Sequence, residues 1–406
     1  MNNDIPPLIN KSWSTFVNCW LKKKPLQKKI NFPQLQKTMI IDKYVLPKLS
    51  SNNISVTNEL VGNEINQWHI HNPNITTEDN VSSTTPLVML HGYLTSSMCY
   101  YKNIPELSKR FRDIYLLDLP GHGGTPLLPH ISDIRLNYER PLPLKYHFIP
   151  TKDSNGKKLE FEIDFPMEYP KYRHLVDTIC NTVYADTIEQ WKFDSKIKGK
   201  INLVAHSFGG YVSFKYWFKY PKSVNKIVLA SPLGMERNIF SINNLLHGKT
   251  KYPLNYRDPS SKYYLNPNVK VPRWLFNNQY KIFEYLGPLG AKILWAFINK
   301  RYSRQEVEFR NYLFDQMYYM DCKKQELNLS VLKELFTPFL TAIDPILDYK
   351  IPHHKLLVLF GDHDWMNRSE SGRFVENSCI IPRAGHNLFL DNPEKFNEKV
   401  IEFLNN

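Results

Sequence analysis

The stretch INLVAHSFGGYVSF, Ile201 to Phe214, decides the fold. Its first residues are a short apolar run, and from Tyr211 a helix-like pattern runs on through YVSFKYW, so Ser207 falls on a turn between strand and helix. Ala205, Gly209 and Gly210 surround it. A serine presented on such a corner is held in a strained backbone conformation, and small neighbours let strand and helix cross closely. The usual form of that corner is Gly-x-Ser-x-Gly; Ala205 adds one methyl group, the smallest intrusion a side chain can make. The stretch therefore reads as a presented serine hydroxyl, against the plainer alternative of a buried serine beside a Gly-Gly turn.

Working outward, PLVMLHG, DIYLLD, KIVLAS, KLLVLFG and SCIIP are further short apolar runs, each ending in a small, polar or turn residue and several separated by helix-like segments. Fully apolar strands alternating with helices predict a mostly parallel sheet buried on both faces. ISVTNEL and INQWHIH precede them as shorter strands. Two stretches break the rhythm: a Pro-rich, charged insertion at 127–172 with no clear period, and an aromatic, basic segment at 235–349 between two core strands. The organisation expected is a basic, aromatic segment at 1–50, a core in two parts at 51–234 and 350–406, and a lid at 235–349 over the carboxyl edge of the sheet. Within the lid, Tyr280 to Ile298 reads as two apolar half-helices broken at Gly287-Pro288-Leu289-Gly290, with Leu294 as a lipid-facing position.

The chain has 406 residues, ordinary hydrophobic content (42%) and a net charge of +13. That excess predicts an anionic partner. With no zinc-type cysteine spacing or nucleic-acid signature, an acidic membrane surface is expected and nucleic acid is not. The five scattered cysteines read as reduced thiols of an intracellular protein. No apolar run reaches membrane-span length. From Ile5 to Ile41 there is no Asp or Glu, and KSWSTFVNCWLKKK sets Trp13, Phe16 and Trp20 at helical spacing before Lys22, Lys23 and Lys24. That is the layout of an interfacial helix, rings at the headgroup level and lysines on phosphates, with a disordered tail or a helix packed on the body as alternatives. An acid-free start also fits a mitochondrial presequence, although those favour arginine and this one has none. The location expected is peripheral to a membrane, the mitochondrion first, with lipid droplet, endoplasmic reticulum or cytoplasm as alternatives.

A serine nucleophile on this scaffold needs an acid and then a histidine at the ends of later strands. GDHDWM supplies Asp362 and Asp364, and RAGHNLFLDNPEKF supplies His386. In Gly-x-x-Asp loops the second carboxylate usually orients the imidazole, which selects Asp364 and leaves Asp362 to hold the turn. Tyr93, after the LVMLHG strand, and Phe208, after the serine, are placed to give the two N–H groups of an oxyanion hole. His91, Asp118 and His122 read as structural. His386 and Asp391 also spell His-x-x-x-x-Asp, the spacing of a base and its orienting acid in glycerolipid acyltransferases. The plainer reading makes Asp391 the N-cap of the C-terminal helix.

AHSFGGYVSFKY, DLPGHGGT, LHGY and GHNLFLDNPEKFN, with the Trp/Phe-rich start, resemble one α/β-hydrolase branch. It holds fungal cardiolipin-specific deacylases, a fungal lysophosphatidic acid acyltransferase, animal N-acyl-phospholipid hydrolases and a lipolysis co-activator. The resemblance implies an α/β-hydrolase fold, a mostly parallel sheet flanked by helices with an inserted lid, and the triad Ser207, Asp364 and His386. It also implies a lipid acyl substrate with no cofactor or metal, and Lys281, Lys292, Lys300 and Arg301 around the lid's half-helices suit a phospholipid headgroup over a neutral triacylglycerol. A deacylase is the first expectation; an acyltransferase making phosphatidic acid, with acyl-CoA as donor, is the alternative, and a non-enzymatic lipid-surface adaptor, which an intact triad argues against, is the third.

Overall fold

The computed structural model describes residues 10–50, 53–76, 84–128, 146–153, 156–163, 169–247, 250–265, 271–366 and 375–405. Part of the 127–172 insertion and most of the Ser/Thr-rich loop at 76–85 lie outside the described residues.

Eight strands form one sheet in the order β1 (Ser55–Val61), β2 (Ile65–His71), β4 (Asp113–Leu117), β3 (Leu87–Leu90), β7 (Ile201–His206), β8 (Val224–Ala230), β10 (Leu356–Gly361) and β11 (Ser378–Ile381). β1 and β2 pair antiparallel, as do β2 and β4; every other pairing is parallel. The central apolar runs are buried on both sides because alternate residues feed two cores, whereas the edge strand β11 is partly exposed at Ile380. Leu203, Ala205, Leu229, Val358 and Phe360 face one. Val204, Val228, Ala230, Leu357 and Leu359 face the other. This period-two division explains why the strands lack polar alternation.

The first core is closed by the helix Phe208–Lys219 and by the aromatic-rich helices from Tyr169 to Asp194. The second is closed by the C-terminal helix Pro393–Asn405, by the helices Pro288–Arg301 and Val307–Tyr318, and by part of the N-terminal segment. The 235–349 segment therefore contributes to both cores, with Leu332, Leu335 and Phe336 in the first and Leu294, Trp295 and Phe309 in the second.

The structure corrects four expectations. The insertion is not without order: β5 (Tyr146–Asp153) and β6 (Gly156–Ile163) form an antiparallel hairpin, and β6 pairs with β9 (Lys251–Pro253) in a second, three-stranded sheet. In the N-terminal helix Trp13–Gln27, Phe16 and Lys23 are buried and so are not lipid-facing. They share a helical face that packs inward, Phe16 in the core and the Lys23 ammonium 5.0 Å over the Tyr318 ring. Trp13, Trp20, Lys22 and Lys24 remain exposed. Leu294 likewise points into the core; on its helix it is Leu289, Ile293 and Phe297, at spacing of four, that face out. Finally, Asn392 rather than Asp391 caps the C-terminal helix, its side-chain oxygen accepting the Lys395 N–H at 3.2 Å.

Candidate active site

Ser207 closes β7 and opens the helix Phe208–Lys219 with φ 53° and ψ −116°, a region non-glycine residues avoid at a cost of about 1–3 kcal/mol. Surrounding bonds hold it there. Its N–H donates to Ala230 O at 3.0 Å, and its carbonyl accepts from Leu233 N–H at 3.0 Å and Tyr211 N–H at 3.2 Å. A Cβ on Gly209 would lie 2.3 Å from His91 O, so that glycine is required by close approach. Ala205 is fully buried and packs without displacing the turn.

The Ser207 hydroxyl donates to His386 Nε2 at 3.1 Å, and His386 Nδ1–H donates to Asp364 Oδ1 at 3.1 Å. All three residues are buried. Asp364 also accepts the Met366 N–H at 3.0 Å and the Ser231 hydroxyl. Burial pushes its carboxyl up, but hydrogen bonds from His386, Ser231 and Met366 outweigh it and leave the pKa below the ordinary value. The carboxylate is therefore ionised at neutral pH. Asp362 lies elsewhere, accepting the Arg383 and Ala384 N–H groups at 2.8 Å each. His363 is exposed.

The backbone after β3 lies against the serine: a Cβ on Gly92 would meet Ser207 Cβ at 3.2 Å. His91 and His122 brace this loop. His91 donates through Nδ1 to Gly92 O at 2.8 Å and accepts the Leu119 N–H at Nε2, and His122 Nε2 accepts the Leu94 N–H. Asp118 gathers Ser97 N–H, Gly124 N–H, Gln36 and Asn66 at 2.7–2.8 Å. Phe208 is the first helical residue, so no carbonyl of its own helix can take its N–H. The Tyr93 and Phe208 rings meet edge to face at 6.3 Å, joined by Tyr184 and Phe336 in an aromatic wall. Asp391 does not reach the His386 ring in this arrangement; its Oδ2 accepts the Gly385 N–H at 2.9 Å.

Three neighbours had not been singled out in the sequence. His206 donates Nε2–H to the His386 carbonyl at 3.0 Å, and its burial keeps it neutral. Ser231 steadies Asp364, and its only signal was the polar residue ending KIVLAS. The Trp365 ring lies 5.0 Å from that of His386. Away from the triad, His69 and His71 both bond Asp113 Oδ1, at 2.9 and 2.8 Å, while Arg112 takes Oδ2.

The comparisons with known proteins agree with this scaffold. A family model for the alpha/beta hydrolase fold matches residues 85–393. Protein ECM18 of Saccharomyces cerevisiae is 40% identical over 86% of this chain and 76% of its own length. A second protein of that yeast, named 1-acylglycerol-3-phosphate O-acyltransferase ICT1, is 33% identical over 86% of this chain and 88% of its own. The mouse protein named 1-acylglycerol-3-phosphate O-acyltransferase ABHD5 is 22% identical over 80% and 78%. Among solved structures, a Rhodococcus esterase aligns at 14% identity and a TM-score of 0.48, covering 86% of this chain and 98% of its own. By the extent of the family match and the identity to the first yeast relative, the chain belongs to the α/β-hydrolase family.

Proposed function

We propose that the protein is a serine-dependent lipid acyl enzyme that removes a fatty acyl chain from a phospholipid through an acyl-enzyme on Ser207. The observation carrying this reading is the continuous line Ser207–His386–Asp364 on a strained strand-to-helix corner. His386 Nε2 takes the hydroxyl proton as Ser207 Oγ attacks the ester carbonyl carbon. The carbonyl oxygen gains the negative charge, and the Phe208 and Tyr93 N–H groups are assigned as its donors. Collapse breaks the ester bond, the departing alkoxide takes the proton from His386, and the acyl group stays on Oγ. Water then repeats the cycle from the other side, releasing fatty acid and restoring the hydroxyl.

A second reading replaces water by the free hydroxyl of lysophosphatidic acid, with acyl-CoA or a phospholipid as donor and phosphatidic acid as product. It is favoured by the names of the yeast and mouse relatives. Purified protein supplied with acyl-labelled phospholipid, or with labelled acyl-CoA, in the presence and absence of lysophosphatidic acid separates the two. Labelled fatty acid is expected to form at least as fast as labelled phosphatidic acid; transfer that outruns hydrolysis makes the acyltransferase reading the leading one.

A membrane site for this chemistry is supported by the exposed face that joins the N-terminal helix to the helix Pro288–Arg301. Trp13 and Trp20 are 54% and 44% exposed, and Leu286, Leu289, Ile293 and Phe297 are exposed beside them. The Trp20 ring lies 3.6 Å from where a Cβ on Gly287 would sit. Lys22, Lys24, Lys292 and Lys300, all exposed, supply positive charge along these helices, and exposed Lys281 adds to it from the preceding helix Arg273–Tyr285. Apolar rings ringed by lysine suit an anionic bilayer. Trp13→Ala with Trp20→Ala is expected to lower co-sedimentation with cardiolipin-rich liposomes at least threefold, and about 0.5 M salt to weaken the remainder by screening. Full binding by the double variant would place the contact elsewhere.

A further inference from the structure

A cavity of about 170 Å³ opens beside the triad, lined among others by Arg301, Ser303, Arg304, His363, Asp391 and His386. Its walls come from parts of the chain far apart in sequence: the end of the helix Pro288–Arg301 and the turn after it, the loop after β10, and the loop after β11. His386 belongs both to this cavity and to the triad. The cavity therefore lies next to the residue that activates Ser207.

The cavity is too small for a fatty acyl chain, and its charge is one-sided. Two guanidinium groups and a hydroxyl face one carboxylate, Asp391, which lies in the field of both arginines. That carboxylate already accepts the Gly385 N–H, and the Gln305 amide lies 3.4 Å from its other oxygen. Burial pushes its pKa up, against the pull of Arg304, Arg301 and the Gly385 N–H. Arg304 donates Nη1 to Arg383 O at 3.0 Å, which anchors its fork and leaves its other donors. Arginine forks match the oxygens of a phosphate in pairs, and a monoester carries nearly two negative charges at neutral pH.

We infer that this cavity takes the phosphate monoester of a lysophosphatidic acid-type lipid, with Arg301 and Arg304 as its ligands. The inference rests on the lipid acyl reading above and adds to it what selects the headgroup. A monoacylglycerol lacks the charge, and a phosphodiester carries one negative charge where the monoester carries nearly two.

The test is binding to full-length Ser207→Ala protein, measured calorimetrically below micellar concentration, so that it needs no turnover. Lysophosphatidic acid is expected to bind about 10–100-fold more tightly than monoacylglycerol of the same chain, as charge-assisted hydrogen bonds give. Adding Arg301→Gln and Arg304→Gln is expected to bring the two lipids within about threefold of one another, and Arg301→Lys with Arg304→Lys to restore part of the preference. An unchanged preference in the double Gln variant overturns the assignment, as does equal loss for both lipids. Inorganic phosphate that binds as tightly as lysophosphatidic acid overturns the lipid as ligand in favour of a soluble anion. Failure here leaves the acyl-enzyme untouched, because that is read separately from the activity lost with Ser207.

Discussion

Ser207→Ala is expected to lower kcat for ester hydrolysis by about 10⁴–10⁶-fold while moving the thermal midpoint by no more than about 3 °C. The hydroxyl is the attacking group, and its removal leaves His386 and Asp364 with nothing to activate. Little stability is at risk. The side chain adds one bond, to His386, while the corner is held by backbone bonds from Ser207 to Ala230, Leu233 and Tyr211. A fluorophosphonate probe should label the wild type and leave the variant unlabelled. Equal labelling of both would remove Ser207 from the mechanism, and a collapsed midpoint would show that the hydroxyl is structural.

Asp364→Asn should cost about 10²–10⁴-fold in kcat, whereas Asp362→Asn should stay within about tenfold of wild type. The two carboxylates are two residues apart but do different work. Asp364 accepts His386 Nδ1–H and so keeps Nε2 bare toward the Ser207 hydroxyl. An amide in its place can turn its NH₂ to Nδ1 and favour the wrong tautomer. Asp362 holds the Arg383 and Ala384 N–H groups, which shape the loop that carries His386. Its neutral isostere keeps one carbonyl oxygen for that task. Parallel rate measurements on both variants decide it, and the reverse ranking would reassign the orienting acid.

The parallel part of the sheet was legible because its central strands are buried on two faces and so leave uninterrupted apolar runs, as Leu87–Leu90 and Leu356–Phe360 do. Ser207, Asp364 and His386 were legible because each follows such a run on a turn. The hairpin Tyr146–Asp153 with Gly156–Ile163 was not. Leu159-Glu160-Phe161-Glu162-Ile163 does alternate with period two, but the facing strand, with Pro150 inside it, does not, and the pair lies within a charged, Pro-rich stretch. Side-chain direction was lost in a similar way. Helical spacing grouped Phe16 with Trp13 and Trp20, yet the contacts of the neighbouring helix Pro288–Arg301 decide which face turns inward. Ser231 and Arg304 carry no motif at all. They meet the site only through the folding together of segments that are remote in the chain.

The sheet order also has a consequence for how the chain is made. β8 is flanked by β7 on one side and by β10 on the other, and the whole 235–349 segment separates β8 from β10 along the chain. At ordinary synthesis rates that segment takes roughly ten seconds to emerge. Throughout that interval Val224–Ala230 has no partner on one side, and most of this strand is apolar. An open apolar edge of this kind is a template for pairing with another nascent chain. Ribosome-bound intermediates stalled before residue 350 should therefore be the most chaperone-dependent and aggregation-prone species in the life of the protein, and the last strands to arrive, β10 and β11, close both the sheet and that window.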